Sequence, residues 1–512
     1  MSKSLAAGVG LVSAANMLGG ILNLLLIVAL TRLLSKPDFA AIAFIYMLFT
    51  LMSSIGTLGL PSALLFYVPK LSPSASRHLG LWLGGLLTAL SLPMTALFMF
   101  FGPILTSKFA LPDAYTLFSV VGLALIFDFS GQTLTGYLLA KERYLSTAIV
   151  TTLFNLSRFL GLTLPAYFGL GLVGMVWGLC LTTALRSLGF FIYTGLIESG
   201  ELNEHTRAEW QTKELFSYGI PLSLSSVVGK LNVQADKYMI AALTTAEVYA
   251  IYHVGALEVP LVATLAYSVT RALMPSLVSA HDRRDHHGFI ELWHTSMIKV
   301  SIIILPVFSF LMFFAEPLIT LIFSADYQQA SIPFRIYLCL LPLRLCAYGA
   351  ILRSMGATKP VLMSSLLSLI INVSLNYPLY LWLGLSGPAT ASVIAQLIAI
   401  LFLLNTIRGH FTLPWRAVFP FSKILTGLCI SLIAALLTFL IMTSGQRYLS
   451  ASLSSSSLHS ALTLNIAGAI YLVLYLPLAW RVRYISTQDL KTLWSWLSLK
   501  STRKALRARL SK

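Results

Sequence analysis

The sequence predicts an all-α polytopic membrane protein: about fourteen transmembrane helices, as two parallel-repeat six-helix lobes plus two C-terminal helices. Composition, the spacing of apolar windows and an internal repeat each point there. Of the 512 residues, 57% are hydrophobic and 10% charged, where a soluble globular chain carries about 25% charged residues. The mean hydropathy is +0.82.

A helix needs about 20 mostly apolar residues to cross the hydrocarbon. Such windows fall at 8–30, 39–60, 79–101, 115–138, 147–168, 171–195, 215–243, 247–273, 292–314, 332–352, 361–383, 387–407, 420–443 and 460–480. Lys3 precedes the first with no small-residue cleavage site before a soluble domain, so that segment is expected to remain a span. With the N-terminus inside, inner connections and termini carry about 23 of the 35 lysines and arginines. The outer side carries Arg32, Lys36, Lys108 and Arg447. This asymmetry puts both termini of a multi-pass chain in the cytoplasm.

The net charge of +17 would suit nucleic acid, but its placement predicts no nucleic-acid partner. The tail 483–512 carries basic residues opposite Leu490, Trp494 and Leu497. It reads as an amphipathic segment on anionic membrane lipid. The four cysteines lie in apolar segments with neither metal-site nor disulfide spacing.

Stretches in two parts of the chain repeat at nearly constant offset. "RLLSKPDFAAIAF" (32–44) matches "AALTTAEVYAIYH" (241–253) about 209 residues on. "GYLLAKERY" (136–144) and "GLVG" (171–174) match "GAILRSMGA" (349–357) and "GLSG" (384–387) at about 213. A duplicated unit of six helices enters the membrane from the same side twice, so the repeat is parallel and its substrate site is expected between the halves. The expected organisation is an N-lobe at 1–197, a cytoplasmic linker at 198–214, a C-lobe at 215–410, two further spans in 411–482 and the tail at 483–512.

Charges inside the windows are the functional signal, since one at the bilayer centre costs about 2.5–3.5 kcal/mol on insertion scales. In the seventh window, "VVGKLNVQADKYMIAAL" (227–243), Lys230, Gln234 and Lys237 share one helical stripe while Asp236 aligns with Asn232 on another. Asp236 is therefore expected to pair across to another helix or to titrate alone. Arg158, Arg344, Asp128 and Glu258 also fall near mid-span. Arg186, Arg271 and Lys299 lie nearer the inner surface, where their heads would snorkel to water. The basic excess suits an anion such as a phosphate or pyrophosphate, with Lys230, Lys237, Arg158, Arg344 and Gln234 as cavity candidates. Asp236, Glu258 and Asp128 are candidates for coupling to H+ or Na+, against the alternative of a buried ion pair with an arginine. The cluster "SAHDRRDHHGF" (279–289) reads as a solvated cytoplasmic loop, and no metal site is expected there. There is no Walker loop, zinc-helix motif or nucleophile elbow, so neither a cofactor nor enzymatic chemistry is expected.

Three stretches carry a family resemblance: "ALTRLLSKPDFAAIAF" at the first helix exit, "QADKYMIAALTTAEVYAIYHV" across the seventh and eighth, and "LMPSL" (273–277). The chain resembles Wzx-type polysaccharide (O-antigen/exopolysaccharide) flippases of the multidrug/oligosaccharidyl-lipid/polysaccharide exporter superfamily. The resemblance implies export of a polyprenyl-pyrophosphate-linked oligosaccharide across a bacterial cytoplasmic (inner) membrane, by alternating access through a cationic cavity. Lys230 and Lys237 would line it, with Asp236 in the seventh-helix acidic position. A lipid II flippase or drug/proton antiporter of the same superfamily is the alternative. Lipid II flippases usually carry an Asp-Arg pair where this chain has Val254 and Gly255. The basic cavity and the spans beyond twelve disfavour a drug exporter. A membrane enzyme such as an O-antigen ligase or polymerase would bring a large outer loop, and the outer connections here are short.

Overall fold

A computed structural model describes residues 3–109, 111, 113–197, 210–257, 259, 269, 273–449 and 456–487. Regular structure among the described residues is helical, with no strand. The chain is an all-α polytopic membrane protein. Among the described residues, twelve helices are long and apolar enough to cross a membrane, and they coincide with all the predicted windows but the seventh and eighth. The seventh is nonetheless one helix, α8 (Thr212–Leu243), whose 32 residues give a length of about 48 Å. Lys230, Asp236 and Lys237 dilute its apolarity. The eighth window opens as α9 (Ala246–Gly255). Most of its remainder, including Glu258 and Arg271, lies outside the described residues.

In chain order, α1 (Lys3–Leu33), α2 (Lys36–Gly56), α3 (Leu60–Tyr67), α4 (Pro73–Leu105), α5 (Ala114–Ala140), α6 (Tyr144–Tyr167) and α7 (Gly171–Ile192) precede α8 and α9. The segment 273–282 is α10. There follow α11 (His286–Phe323), α12 (Ser331–Leu338), α13 (Leu340–Leu343), α14 (Tyr348–Ser354), α15 (Lys359–Leu383) and α16 (Ser386–Phe411). The last are α17 (Trp415–Val418), α18 (Phe421–Leu449) and α19 (Ser456–Arg481).

The repeated stretches form joints of like geometry. The α1–α2 and α8–α9 joints are each two residues long. Both are closed by a hydroxyl N-cap: Ser35 accepts from the Asp38 N–H, and Thr245 from the Val248 N–H. Such caps use side-chain oxygen to satisfy an N–H that the first helical turn leaves open. Gly171 and Gly384, paired by the sequence match, both take positive φ, at 64° and 57°. A side chain would strain either turn.

The chain divides by packing into two compact units. Unit one comprises Met1–Ala256 and Ser365–Ala395, and unit two Leu257–Ser364 and Gln396–Lys512. This division follows contacts and leaves the repeat-based lobes as an expectation. In unit one, α2 and α5 are the most enclosed spans, whereas few residues of α1 and α6 are fully buried. Small residues set the closest approaches. A Cβ on Gly178 of α7 would lie 1.7 Å from the Gly161 carbonyl oxygen of α6. Ser130 of α5 meets Ser187 of α7 at 2.7 Å. Helices in lipid associate through such small-residue and hydroxyl contacts, because apolar side chains gain little by leaving acyl chains for one another.

In unit two, α11, α18 and α19 pack around tyrosines. Tyr484 Oη and Ser301 Oγ lie 2.6 Å apart, and the Tyr471 hydroxyl donates to the Pro306 carbonyl at 3.1 Å. α11 kinks at Phe314 (φ −106°, ψ 23°), just before Pro317, whose ring and missing N–H interrupt the helical ladder. Arg335 donates to the Met312 carbonyl beside that kink at 3.1 Å. The tenth window is broken into α12, α13 and α14, with Arg344 at the break.

Candidate functional site: a cationic cavity in unit one

α2, α5, α6, α7 and α8 enclose a cavity of about 190 Å³. α5 supplies Asp128 and, one turn on and on the same face, Gln132. α2 supplies Tyr46, Phe49, Thr50 and Ser53, α6 supplies Arg158, and α8 supplies Lys230.

Asp128 is the hub. It is buried, and its Oδ2 accepts from Ser53 Oγ at 2.6 Å and Gln132 Nε2 at 2.7 Å. Its Oδ1 faces Arg186 Nη1 of α7 at 3.8 Å. Arg186 also donates to Thr135 Oγ1 at 2.9 Å and lies 4.4 Å over the Phe154 ring. The guanidinium thus spends its charge on a carboxylate, a hydroxyl and an aromatic face, which is how a buried arginine offsets lost hydration. The snorkelling expected for Arg186 does not occur. A Cβ on Gly131 would sit 3.2 Å from both Arg186 Cγ and the Ser187 nitrogen. That close approach of α5 and α7 brings the arginine to Asp128 before it can reach water.

Among the described residues the other two cations form no ion pair within 4 Å, although Asp128 shares the cavity with both and attracts Lys230. Arg158 donates through Nη1 to the Tyr46 hydroxyl and through Nη2 to Asn23 Oδ1 at 3.3 Å, and it lies 5.5 Å over the Tyr46 ring. Lys230 donates to Ser54 Oγ and, at 3.4 Å, to the Thr50 carbonyl. Neutral oxygens orient these charges without cancelling them. Arg158, Lys230 and the paired Arg186 against one carboxylate leave the region net positive. Among the described residues Arg158 Nε, buried, has no hydrogen-bond partner, whereas buried donors are ordinarily paired. The arrangement is ready to take an anion with several acceptor oxygens, as phosphate and pyrophosphate have.

Of the sequence candidates, Lys230, Arg158 and Asp128 therefore come together in one cavity. Lys237 and Asp236 stand apart from it. Lys230 is exposed, while Lys237 and Asp236 are enclosed, at 7% and 0% exposure. Asp236 Oδ2 accepts from the Tyr252 hydroxyl of α9 at 2.7 Å. Gln234 is half-buried on α8, and its Oε1 has no partner among the described residues. The Lys230–Gln234–Lys237 stripe thus divides between an open end and an enclosed one. Arg344 lines a separate cavity of about 20 Å³ in unit two with Tyr337 and Leu341. Residues 488–512 of the tail lie outside the described residues.

Tyr46, Thr50, Ser53, Ser54, Gln132, Thr135 and Arg186 were not singled out as site residues by sequence. The nearest signals were the Asp128–Gln132 spacing and the small, hydroxyl-bearing Ser130–Gly131 beside them, a mark of close helix contact.

The polysaccharide biosynthesis protein family matches residues 29–332. The chain belongs to that family. The fold is similar to that of several solved transporters. One similar structure is the lipid II flippase MurJ in an inward closed conformation, with a TM-score of 0.68 at 17% identity, covering 92% of this chain and 99% of that one. Another is an inward-facing multidrug resistance MATE family transporter of the MOP superfamily, at 0.57 and 16% identity, covering 77% and 94%. A third is a Vibrio cholerae MATE transporter in a bent form, at 0.52 and 12% identity, covering 81% and 99%. At these identities the likeness shows the fold alone. No curated protein matches the chain.

Proposed function

We propose that this member of the polysaccharide biosynthesis family is a flippase, exporting a polyprenyl-pyrophosphate-linked oligosaccharide across the cytoplasmic membrane by alternating access. The cationic cavity carries the reading. Arg158 and Lys230 present charges held by neutral oxygens, which favours an anionic headgroup and disfavours the cationic substrates of a drug exporter. Lys230, exposed to the cavity, is the first contact for pyrophosphate, and Arg158 offers a planar fork of donors. Lys237, Gln234 and Arg344 are secondary candidates.

In this reading H+ or Na+ coupling acts through Asp128. It lines the cavity, and neutralising it would free Arg186 to add a third unopposed cation. Asp236 and Glu258 are the remaining carboxylate candidates. The chain acts as a transporter and not as an enzyme, in the inner membrane, with both termini cytoplasmic. It has two six-helix lobes, two further spans, and a tail resting on anionic lipid.

The test is surface polysaccharide in cells carrying Lys230→Ala or Arg158→Ala at normal membrane levels. Loss of surface glycan with accumulation of the lipid-linked precursor inside is expected. Wild-type glycan in both variants would sink the cationic-cavity reading. Rescue of a strain lacking its lipid II flippase, without effect on surface glycan, would turn the reading to lipid II.

A further inference from the structure

Unit two holds a larger cavity, of about 1040 Å³, that plays no part in the transport reading. Its walls are the first turns of α11, the short helix α17 and the start of α18. Clefts that take small molecules usually enclose about 300–1,000 Å³, so this one has room for a sizeable ligand.

Its lining is divided by chemistry. Ile290, Ile298, Phe411 and Phe421 make an apolar wall, and Phe421 is 52% exposed. Arg416 and Lys423, both exposed, form a basic rim beside His287. Glu291 is the one carboxylate on the lining, and it lies 3.9 Å from His287. The wall is ordered: His294 Nε2 lies 3.1 Å from the Val418 carbonyl oxygen, tying α17 to α11. Arg408, at the end of α16, lies 5.1 Å over the ring of Trp415, which opens α17. Tryptophan and arginine together mark the level of a membrane–water interface.

Water alone would leave the apolar wall wetted, and a free anion would leave it empty. The chain's own tail is basic, so the rim repels it. An amphiphile with an anionic head and an apolar chain matches both halves of the lining. We propose that this groove holds an anionic phospholipid of the surrounding membrane. Arg416 and Lys423 take the headgroup phosphate, and an acyl chain lies along Phe411 and Phe421. A lipid seated there joins the α16–α18 connection to α11. The inference stands apart from the flippase reading, and its test needs no glycan.

The full chain is purified in mild detergent, equilibrated with phosphatidylglycerol, phosphatidylcholine or inorganic phosphate, and bound ligand is counted by native mass spectrometry. Phosphatidylglycerol is expected to be retained over the other two. A basic side chain near an anionic headgroup contributes roughly fivefold in affinity, so Arg416→Ala with Lys423→Ala should weaken retention about 20- to 30-fold. Arg353→Ala with Lys359→Ala, away from the groove lining, should leave it unchanged. Should the first pair fail to fold, Lys423→Gln alone, at an exposed position, should cost about fivefold. Four results overturn the proposal: equal retention of phosphatidylcholine, unchanged binding in the groove variants, equal loss in the control pair, or phosphate held as tightly as the lipid. A polyprenyl phosphate held in preference to phosphatidylglycerol overturns it as well, since the groove would then belong to the transported substrate.

Discussion

Replacing Asp128 by asparagine keeps the side chain's size and removes the charge facing Arg186 at 3.8 Å. At an effective dielectric of about 20, unit charges at that distance attract by about 4 kcal/mol. The adjoining cavity screens part of this, and Arg186 keeps its bond to Thr135 and its place over Phe154. A net loss of about 2–4 kcal/mol follows, near the low end of the cost of stranding one partner of a buried pair. Arg186→Leu strands the carboxylate instead, although Ser53 and Gln132 still donate to it. Removing both charges together strands neither. The double variant should therefore be at least about 1–2 kcal/mol more stable than the sum of the single losses predicts. Thermal unfolding of the four purified proteins in one detergent measures the cycle. Losses that add to within about 0.5 kcal/mol would mean that the two side chains do not interact, and would refute the pairing on which the account of the site rests.

The remaining predictions concern packing and polar contacts. Gly178→Ala places a methyl group against the Gly161 carbonyl and should cost about 1–3 kcal/mol, read as reduced thermal stability, whereas Gly10→Ala within α1, where a Cβ meets nothing within 4 Å, should cost nothing and gain up to about 1 kcal/mol. Tyr252→Phe removes the 2.7 Å hydrogen bond to the enclosed Asp236 carboxyl and should cost about 1.5–3 kcal/mol. Pairing it with Asp236→Asn should soften that loss in the same assay. Tyr484→Phe breaks the contact with Ser301 and should loosen the packing of the α19 end on α11 by about 1 kcal/mol, seen as faster hydrogen exchange there.

The helical architecture was legible because a span's length and apolarity are local properties that a 20-residue window carries whole. The site was legible only in its charges. Lys230, Arg158 and Asp128 stood out because an ionised group in an apolar window is costly and so needs a reason. The neutral groups that orient them did not. Ser54 and Thr57 donate to carbonyls of their own helix, at Thr50 and Ser53, as hydroxyls in membrane helices commonly do. Ser53, between them, donates instead to Asp128. Nothing local separates Ser53 from its neighbours, because its partner is on another helix. Arg186 was misplaced for the same reason: its position along α7 is legible, but the acid within its reach belongs to α5.

The seventh window shows how intramembrane charge and apolarity oppose each other. α8 is a continuous helix of 32 residues, long enough to cross the membrane, yet it is absent from the twelve that apolarity selects. The residues that keep it out are Lys230, which faces the cavity, and Asp236 and Lys237, which are enclosed among neighbouring helices. A helix that faces lipid all round can be uniformly apolar. One that walls a cavity must give part of its circumference to groups that hold water or an anion, and each such group lowers its mean hydropathy. The other four helices that wall the cavity pass the count, because each brings at most two charges, whereas α8 brings three within eight residues. Of those three charges only Lys230 lines the cavity, so the shortfall in apolarity marks a window to search, and the packing of neighbouring helices decides which of its charges meet.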